Sequence, residues 1–170
     1  SSNSFGFSNG DISSSWKNLN QVEIISYFGW QSARSTISKV SGSTVTLAGS
    51  RSKPFNGWLS GRYFVENVFE GLDTPGEWYL DKTNGNLYYY PLSGENINNA
   101  EIIIPNNLQT LVNVGSSYIN FKNLIFAHTD WVLPSGGYQS VQSNKDAAEA
   151  AAIIFNEGSS NCVIESCEIK

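Results

Sequence analysis

The sequence has no methionine, one histidine and two cysteines among its 170 residues. Methionine is missing even at position 1, and the start, SSNSFGFSNG, has neither the cationic nor the apolar segment of a signal peptide. This predicts that the encoded polypeptide was longer at its N-terminus. Two cysteines cannot build a disulfide scaffold, and with His128 as the sole histidine they cannot assemble the four or so ligands of a structural zinc site. No metal and no cofactor is expected. Cys162 and Cys167 lie five apart in a segment that reads as strand, turn, strand, and are expected to be buried structural thiols.

Positive charge is also scarce. Ten Lys and Arg against fifteen Asp and Glu give a net charge of −5, which leaves no basic stripe to neutralise phosphates and excludes nucleic acid as a partner. The longest apolar run, Ala150 to Phe155, falls far short of the roughly 20 residues that span a bilayer, so no membrane partner is expected. Helical periodicity is confined to the short stretch Asp146 to Ala152, while turn residues punctuate almost everything else. The chain reads as all-β.

Aromatic residues make up 13% of the chain, with five Trp and eight Tyr, and only 15% of residues are charged. Asn, Ser and Gly fill much of the remainder. This balance suits extracellular carbohydrate-active β proteins, in which flat rings cover the apolar faces of sugars and amides bond their hydroxyls.

Strand signals come in two sets. QVEIISYF and RSTISKV, then the turn SGS and TVTLAG, form one antiparallel run with β-branched alternation at Thr44, Val45 and Thr46. RYFVENV, GEWYLD and NLYYYPL form the second, with a hairpin over Gly76 to Leu92 closed by the turn Lys82 to Gly85. Alternation of Trp78, Leu80, Leu87 and Tyr89 predicts one buried face on that hairpin. Trp16, Trp30, Trp58 and Trp78 are expected in the core or between modules. Glu66, Asp73, Glu77 and Asp81 are expected as solvated turn carboxylates, with Arg34 and Arg62 as candidate partners.

After Pro91 the pattern changes. TLVNVGSSYINFKNLIF, Thr110 to Phe126, overlays IIFNEGSSNCVIESCEI, Ile153 to Ile169, at a constant offset of 43. Asn113 falls on Asn156, Gly115 on Gly158, Ile119 on Cys162, Phe121 on Ile164, Leu124 on Cys167 and Phe126 on Ile169. Each unit reads as strand, Gly-Ser-Ser turn, strand, a polar corner at Asn123 or Ser166, and another strand. Short strands repeated in this way describe coils of a parallel β-solenoid, in which each coil pairs with the next. The alternation turns Ile119, Phe121, Leu124, Phe126, Cys162, Ile164, Cys167 and Ile169 inward. It also stacks Asn113 on Asn156 and sets Glu157 in the place of Val114. A plain coil takes roughly 22 residues, so the offset implies about twenty inserted ones, Ala127 to Glu149. The expected domains are an accessory β-sandwich-like module over 1–95 and the first coils of a parallel β-helix over 96–170. Because stacked coils need several neighbours, the chain is expected to continue past Lys170.

Four passages, WKNLNQVEIISYFGWQSARSTISKV, RYFVENVFEGLDTPGEWYLDKTNGNLYYYPL, EIIIP and FKNLIFAHTDWVLPSGGYQSVQ, resemble the N-terminal part of right-handed parallel β-helix glycoside hydrolases. The nearest types are the pectin-lyase-like bacterial β-xylosidases and the α-fucosidases or xylanases, and the resemblance covers nearly all of 16–170. It implies an all-β fold with a right-handed parallel β-helix and an exported protein, secreted, periplasmic or on the cell surface. Its activity would be hydrolysis of glycosidic bonds in plant or host polysaccharide. In such enzymes the catalytic carboxylates lie on later coils, so no catalytic residue carries over to this chain, which would be inactive alone and would partner the remainder of its own β-helix.

Within the chain, the inserted loop carries the candidate substrate contacts. HTDW, His128 to Trp131, and GGYQSVQ, Gly136 to Gln142, place Trp131 and Tyr138 to stack on a pyranose face. Asp130, His128 and Gln142 are placed to bond hydroxyls of an oligo- or polysaccharide. The opposing reading has the loop folded back, with Trp131 capping the solenoid and His128 bonding a backbone carbonyl. A non-catalytic carbohydrate-binding or surface-adhesion module built on the same scaffold is the alternative function, since fold does not settle function.

Overall fold

In a computed structural model of the chain, residues 3–29, 31–49, 61–105, 108–140 and 151–170 are described. The chain divides into two compact units, Ser1–Ala100 with Leu133–Asn144, and Glu101–Val132 with Lys145–Lys170. The secondary structure is all-β, with strands, short 3-10 turns and loops among the described residues. The helix expected over Asp146 to Ala152 lies outside the described residues except for its last two, which are not helical.

The first unit is built on one antiparallel sheet. Its strands are β1 (Ser4–Gly6), β2 (Glu23–Phe28), β3 (Gln31–Ser41), β4 (Thr44–Leu47) and β5 (Arg62–Glu66), in the order β1-β4-β3-β2-β5. At eleven residues, β3 is long enough to serve several partners. Gln31 to Thr36 pairs with β2, Ile37 to Ser41 pairs with β4, and the register shifts between Ile37 and Lys39. An irregularity of this kind increases local twist, so the sheet bends where it changes partner. Alternation then decides the core: Val22, Ile24, Ile37, Val45 and Leu47 are buried together with Phe5 and Ile12, and Trp16, Val65 and Val68 pack against them. A second ribbon in this unit joins β6 (Trp78–Asp81) to β7 (Asn86–Tyr89), antiparallel. Its turn closes with the Gly85 N–H donating to the Asp81 carbonyl at 2.8 Å, and Gly85 takes φ +67°, a left-handed position that glycine fills without strain.

The strands expected before Pro91 are present, but the facing of the hairpin differs from expectation. Tyr79 and Asp81 are buried, at 1% and 0% exposure, while Trp78 is 65% exposed. Trp78 is therefore not a core residue. Trp16 does pack on the core, and Trp30 and Trp58 lie outside the described residues.

The second unit pairs its two repeats in parallel. With β8 (Val112–Val114), β9 (Asn120–Lys122), β10 (Ile125–Phe126), β12 (Ile153–Phe155), β13 (Val163–Glu165) and β14 (Glu168–Ile169), the pairs are β8 with β12, β9 with β13 and β10 with β14. The last two pairs follow the 43-residue offset: Phe121 lies opposite Ile164 and Phe126 opposite Ile169. So do the left-handed corners, Tyr118 with Asn161 and Asn123 with Ser166, all at φ between +53° and +64°.

The first pair departs from the offset, because Asn113 lies opposite Ile154 and Val114 opposite Phe155. Asn156 and Glu157 thus form a two-residue enlargement of the second turn, and a shift of two keeps every side chain on its own face. Asn113 and Asn156 are not register partners, and Glu157 is an exposed turn residue with no place in the strand. Val114 and Phe126 are buried, and the Phe121 ring meets Phe126 at 5.7 Å and Phe155 at 6.4 Å. Ile164 and Ile169 remain 41% and 57% exposed, and both cysteines are half-buried free thiols, less enclosed than expected.

Candidate functional site

The inserted segment does not form one continuous loop. Tyr138–Ser140 is a strand, β11, that pairs antiparallel with β3, and Tyr138 lies opposite Arg34. Tyr138 thus belongs to the sheet of the first unit, where it is half-buried. His128, Asp130 and Trp131 belong to the second unit. His128 follows β10, exposed and left-handed at φ +68°, an uncommon conformation for a residue other than glycine. The Asp130 backbone N–H donates to the Leu108 carbonyl at 2.9 Å, anchoring this segment. Trp131 follows it, 38% exposed. Three of the five expected contacts thus lie within one four-residue stretch of the second unit. Gln142 lies outside the described residues.

The most elaborate polar cluster stands elsewhere, around a carboxylate that the sequence reading had placed in solvent. Asp81 ends β6 with its side chain fully buried. Its Oδ1 accepts from Asn18 Nδ2 at 3.0 Å and from the backbone N–H groups of Thr83 and Asn84, and its Oδ2 accepts from Asn84 Nδ2 at 2.9 Å. The Lys17 ammonium closes the set at 2.9 Å from Oδ2. The donor side chains of Asn84 and Lys17 hold the carboxyl far below the usual carboxylate range, against the cost of burial. The same Lys17 lies 4.6 Å from the Phe69 ring centre and 5.2 Å from that of Tyr88, so aromatic faces flank the ion pair. Asn18 also bonds the Tyr79 hydroxyl at 3.0 Å, and Gln21 reaches Thr83 Oγ1 at 2.7 Å. The cluster fastens the 17–21 segment to the hairpin. A strand-ending Asp ahead of Thr-Asn-Gly was its only trace in the sequence, through the Asx-turn habit of aspartate.

Several other acids among the described residues have plain partners. Arg34 bridges Glu23 at 2.5 Å and Glu66 at 2.7 Å, Glu77 accepts the backbone N–H groups of Asp73 and Thr74, Glu165 pairs with Lys122 and Glu168 with Lys170. Glu95 accepts from the Tyr89 hydroxyl at 2.6 Å and from the Leu92 backbone at 3.0 Å, and these bonds lower its pKa. Glycoside cleavage needs one carboxyl with a raised pKa to protonate the leaving group, next to a second carboxylate. Asp81 and Glu95 are both shifted the other way, so neither is suited to be that acid.

Comparison with known proteins agrees with the carbohydrate direction. Residues 52–92, which include the hairpin, match a family model described as the GH141 insertion domain. A solved structure named "Glycoside hydrolase" superposes on 71% of this chain with a TM-score of 0.60 and 27% sequence identity. The chain spans 24% of the length of that neighbour. No curated protein matches the chain.

Proposed function

We propose that this chain is one part of an exported glycoside hydrolase that acts on plant or host polysaccharide. In this reading it supplies an accessory β module over 1–95 and the first coils of a right-handed parallel β-helix over 96–170. The catalytic carboxylates are supplied by coils that follow in the longer protein. The observation that carries the reading is the repeated parallel pairing in the second unit, where β9 lies on β13 and β10 on β14 at one offset and a left-handed corner recurs at Asn123 and Ser166. Successive coils of a solenoid pair in this way, each backbone group bonding to the coil beside it. The match of 52–92 to the GH141 insertion domain and the likeness to a glycoside hydrolase about three times as long support the choice of activity.

On the second unit, Trp131 stacks on a sugar ring, with His128 and Asp130 bonding its hydroxyls. Tyr138 and Gln142 are proposed as further sugar contacts. The test is to extend the reading frame past Lys170, express the longer protein and assay it on aryl β-xylosides and α-fucosides. Hydrolysis that is lost on changing a pair of downstream carboxylates to amides is the expected result. A longer protein without such a pair on its coils, or one inert on glycosides, overturns the reading.

A further inference from the structure

The hairpin within residues 52–92 turns one face to the core and the other to solvent. On the inner face Tyr79 and Tyr88 are cross-strand partners, both in ring contact with Phe69. On the outer face Trp78 lies directly opposite Tyr89. The Tyr90 N–H donates to the Glu77 carbonyl at 2.9 Å, which makes the adjoining Trp78 and Tyr89 a non-hydrogen-bonded pair, the kind whose side chains approach most closely. Trp78 is 65% exposed, although a tryptophan in a strand ordinarily buries most of its ring.

The ring is bordered by both apolar and polar side chains. Leu80 and Leu87, the next pair on the same outer face, are half-buried, Tyr90 and Leu92 just beyond are exposed, and Glu77, Lys82, Asn84 and Asn86 are exposed polar residues along the ribbon. A fixed acceptor stands beside the ring's partner. Tyr89 and the Leu92 backbone both bond Glu95 Oε2, which orients the carboxylate and leaves Oε1 without a hydrogen bond among the described residues. A flat exposed ring next to an oriented, ionised acceptor and a phenol oxygen is complementary to a ligand that has an apolar face and a hydroxyl rim. A pyranose has that shape and chemistry.

We propose that Trp78, Tyr89 and Glu95 form a sugar-binding platform on the hairpin. It is separate from the loop contacts on the second unit and serves to hold polysaccharide without cleaving it. The proposal rests on the carbohydrate reading above, and its test is independent of hydrolysis. The indole N–H resonance of Trp78, assigned by its loss in Trp78→Tyr, is followed in the 170-residue chain during titration with xylohexaose and, separately, 2′-fucosyllactose.

A saturable shift with one of the two sugars is expected, with a dissociation constant on the order of 1 mM. Read by calorimetric titration, which does not need the indole resonance, Trp78→Ala is expected to weaken binding about 5- to 10-fold, as the loss of one stacked ring implies. Trp78→Tyr retains a ring and is expected to stay within about 2-fold of the parent. Glu95→Gln is expected to weaken binding while leaving the melting temperature in place. Equal affinity in Trp78→Ala and the parent, or no saturable shift with either sugar, overturns the platform. If the longer protein still hydrolyses glycosides in that event, the platform alone has failed and the hydrolase reading stands.

Discussion

Lys17 and Asp81 meet at 2.9 Å across the base of the hairpin, the carboxylate fully buried and the ammonium partly in solvent. Four further hydrogen bonds reach the same carboxylate, so its ionised form is satisfied by the fold and its neutral form is not. Asp81 is thereby depressed below its unfolded value. The stability it contributes is present above the ordinary carboxylate pKa of about 3.9 and is lost as pH falls through the lower folded value. Lys17 is raised above 10.5, so its share is present below that pH and fades as pH rises through the raised value. Asp81→Asn should lower the melting temperature by about 5 °C or more at neutral pH, because it leaves the ammonium without its counter-charge. Thermal scans from pH 7 down to about 2 should also show a flatter acid limb than in the parent. An unchanged acid limb would mean that another carboxylate controls acid unfolding.

Tyr63 offers the opposite sign at the other end of the pH scale. Its ring packs 5.1 Å from Phe5 and its hydroxyl donates to Asp11 Oδ2 at 2.5 Å; burial first, then this bond, pushes its pKa up to about 12. The neutral phenol is favoured by folding, so its contribution is complete below the unfolded value near 10 and disappears as pH rises towards 12. Tyr63→Phe should cost about 1 kcal/mol at pH 8, the net worth of the lost bond. The difference from the parent should close between pH 10 and 12. Denaturation at several alkaline pH values, with phenolate absorbance recorded alongside, checks both statements, and a constant difference across that range would contradict them.

These two clusters also mark where the sequence was opaque. Strand positions were legible because alternation and turn residues announce them, but alternation defines two faces without saying which is buried. Trp78, Tyr79, Tyr88 and Tyr89 put aromatics on both faces of one ribbon, and the inner face was settled by Lys17, Asn18 and Phe69, all distant in sequence. The parallel register of β9 with β13 was legible from a repeat of 43 residues, whereas the two residues added at Asn156 and Glu157 were hidden by an ungapped overlay. His128, Asp130 and Trp131 were legible as a group because they fall within four residues of one another. The pairing of Tyr138 with Arg34 spans more than a hundred residues and left no local signal.

The repeated corner gives a third prediction. Asn123 and Ser166 occupy the same left-handed position at φ +57° and +53°, and neither has the freedom of glycine. Asparagine tolerates this region better than serine, since L residues pay roughly 1–2 kcal/mol there and the asparagine side chain offsets part of it. Ser166→Gly should therefore stabilise the chain by about 0.5–1 kcal/mol after the added entropy of the unfolded state, and Asn123→Gly by less. Ser166→Val, branched at Cβ, should destabilise by about 1–2 kcal/mol. Urea unfolding with an unchanged slope measures all three. Destabilisation by Ser166→Gly would show that the serine side chain holds the corner and the backbone conformation does not limit it.

Trp131 allows its two readings to be separated by one variant. A ring that caps the unit contributes mainly by burial, so its removal lowers the melting temperature and leaves sugar affinity alone. A ring that stacks on substrate does the reverse, because its exposed face gains contact only when ligand is present. With 38% of the residue exposed and the backbone ahead of it held by the Asp130 to Leu108 hydrogen bond, Trp131 keeps part of its surface open. Trp131→Ala should accordingly weaken xylo- or fuco-oligosaccharide binding about 5- to 10-fold with a shift of the melting temperature below about 2 °C. Calorimetric titration and thermal melting of the same variant decide the matter. A melting temperature reduced by several degrees with the isotherm intact would assign Trp131 to packing and remove His128 and Asp130 from the substrate site with it.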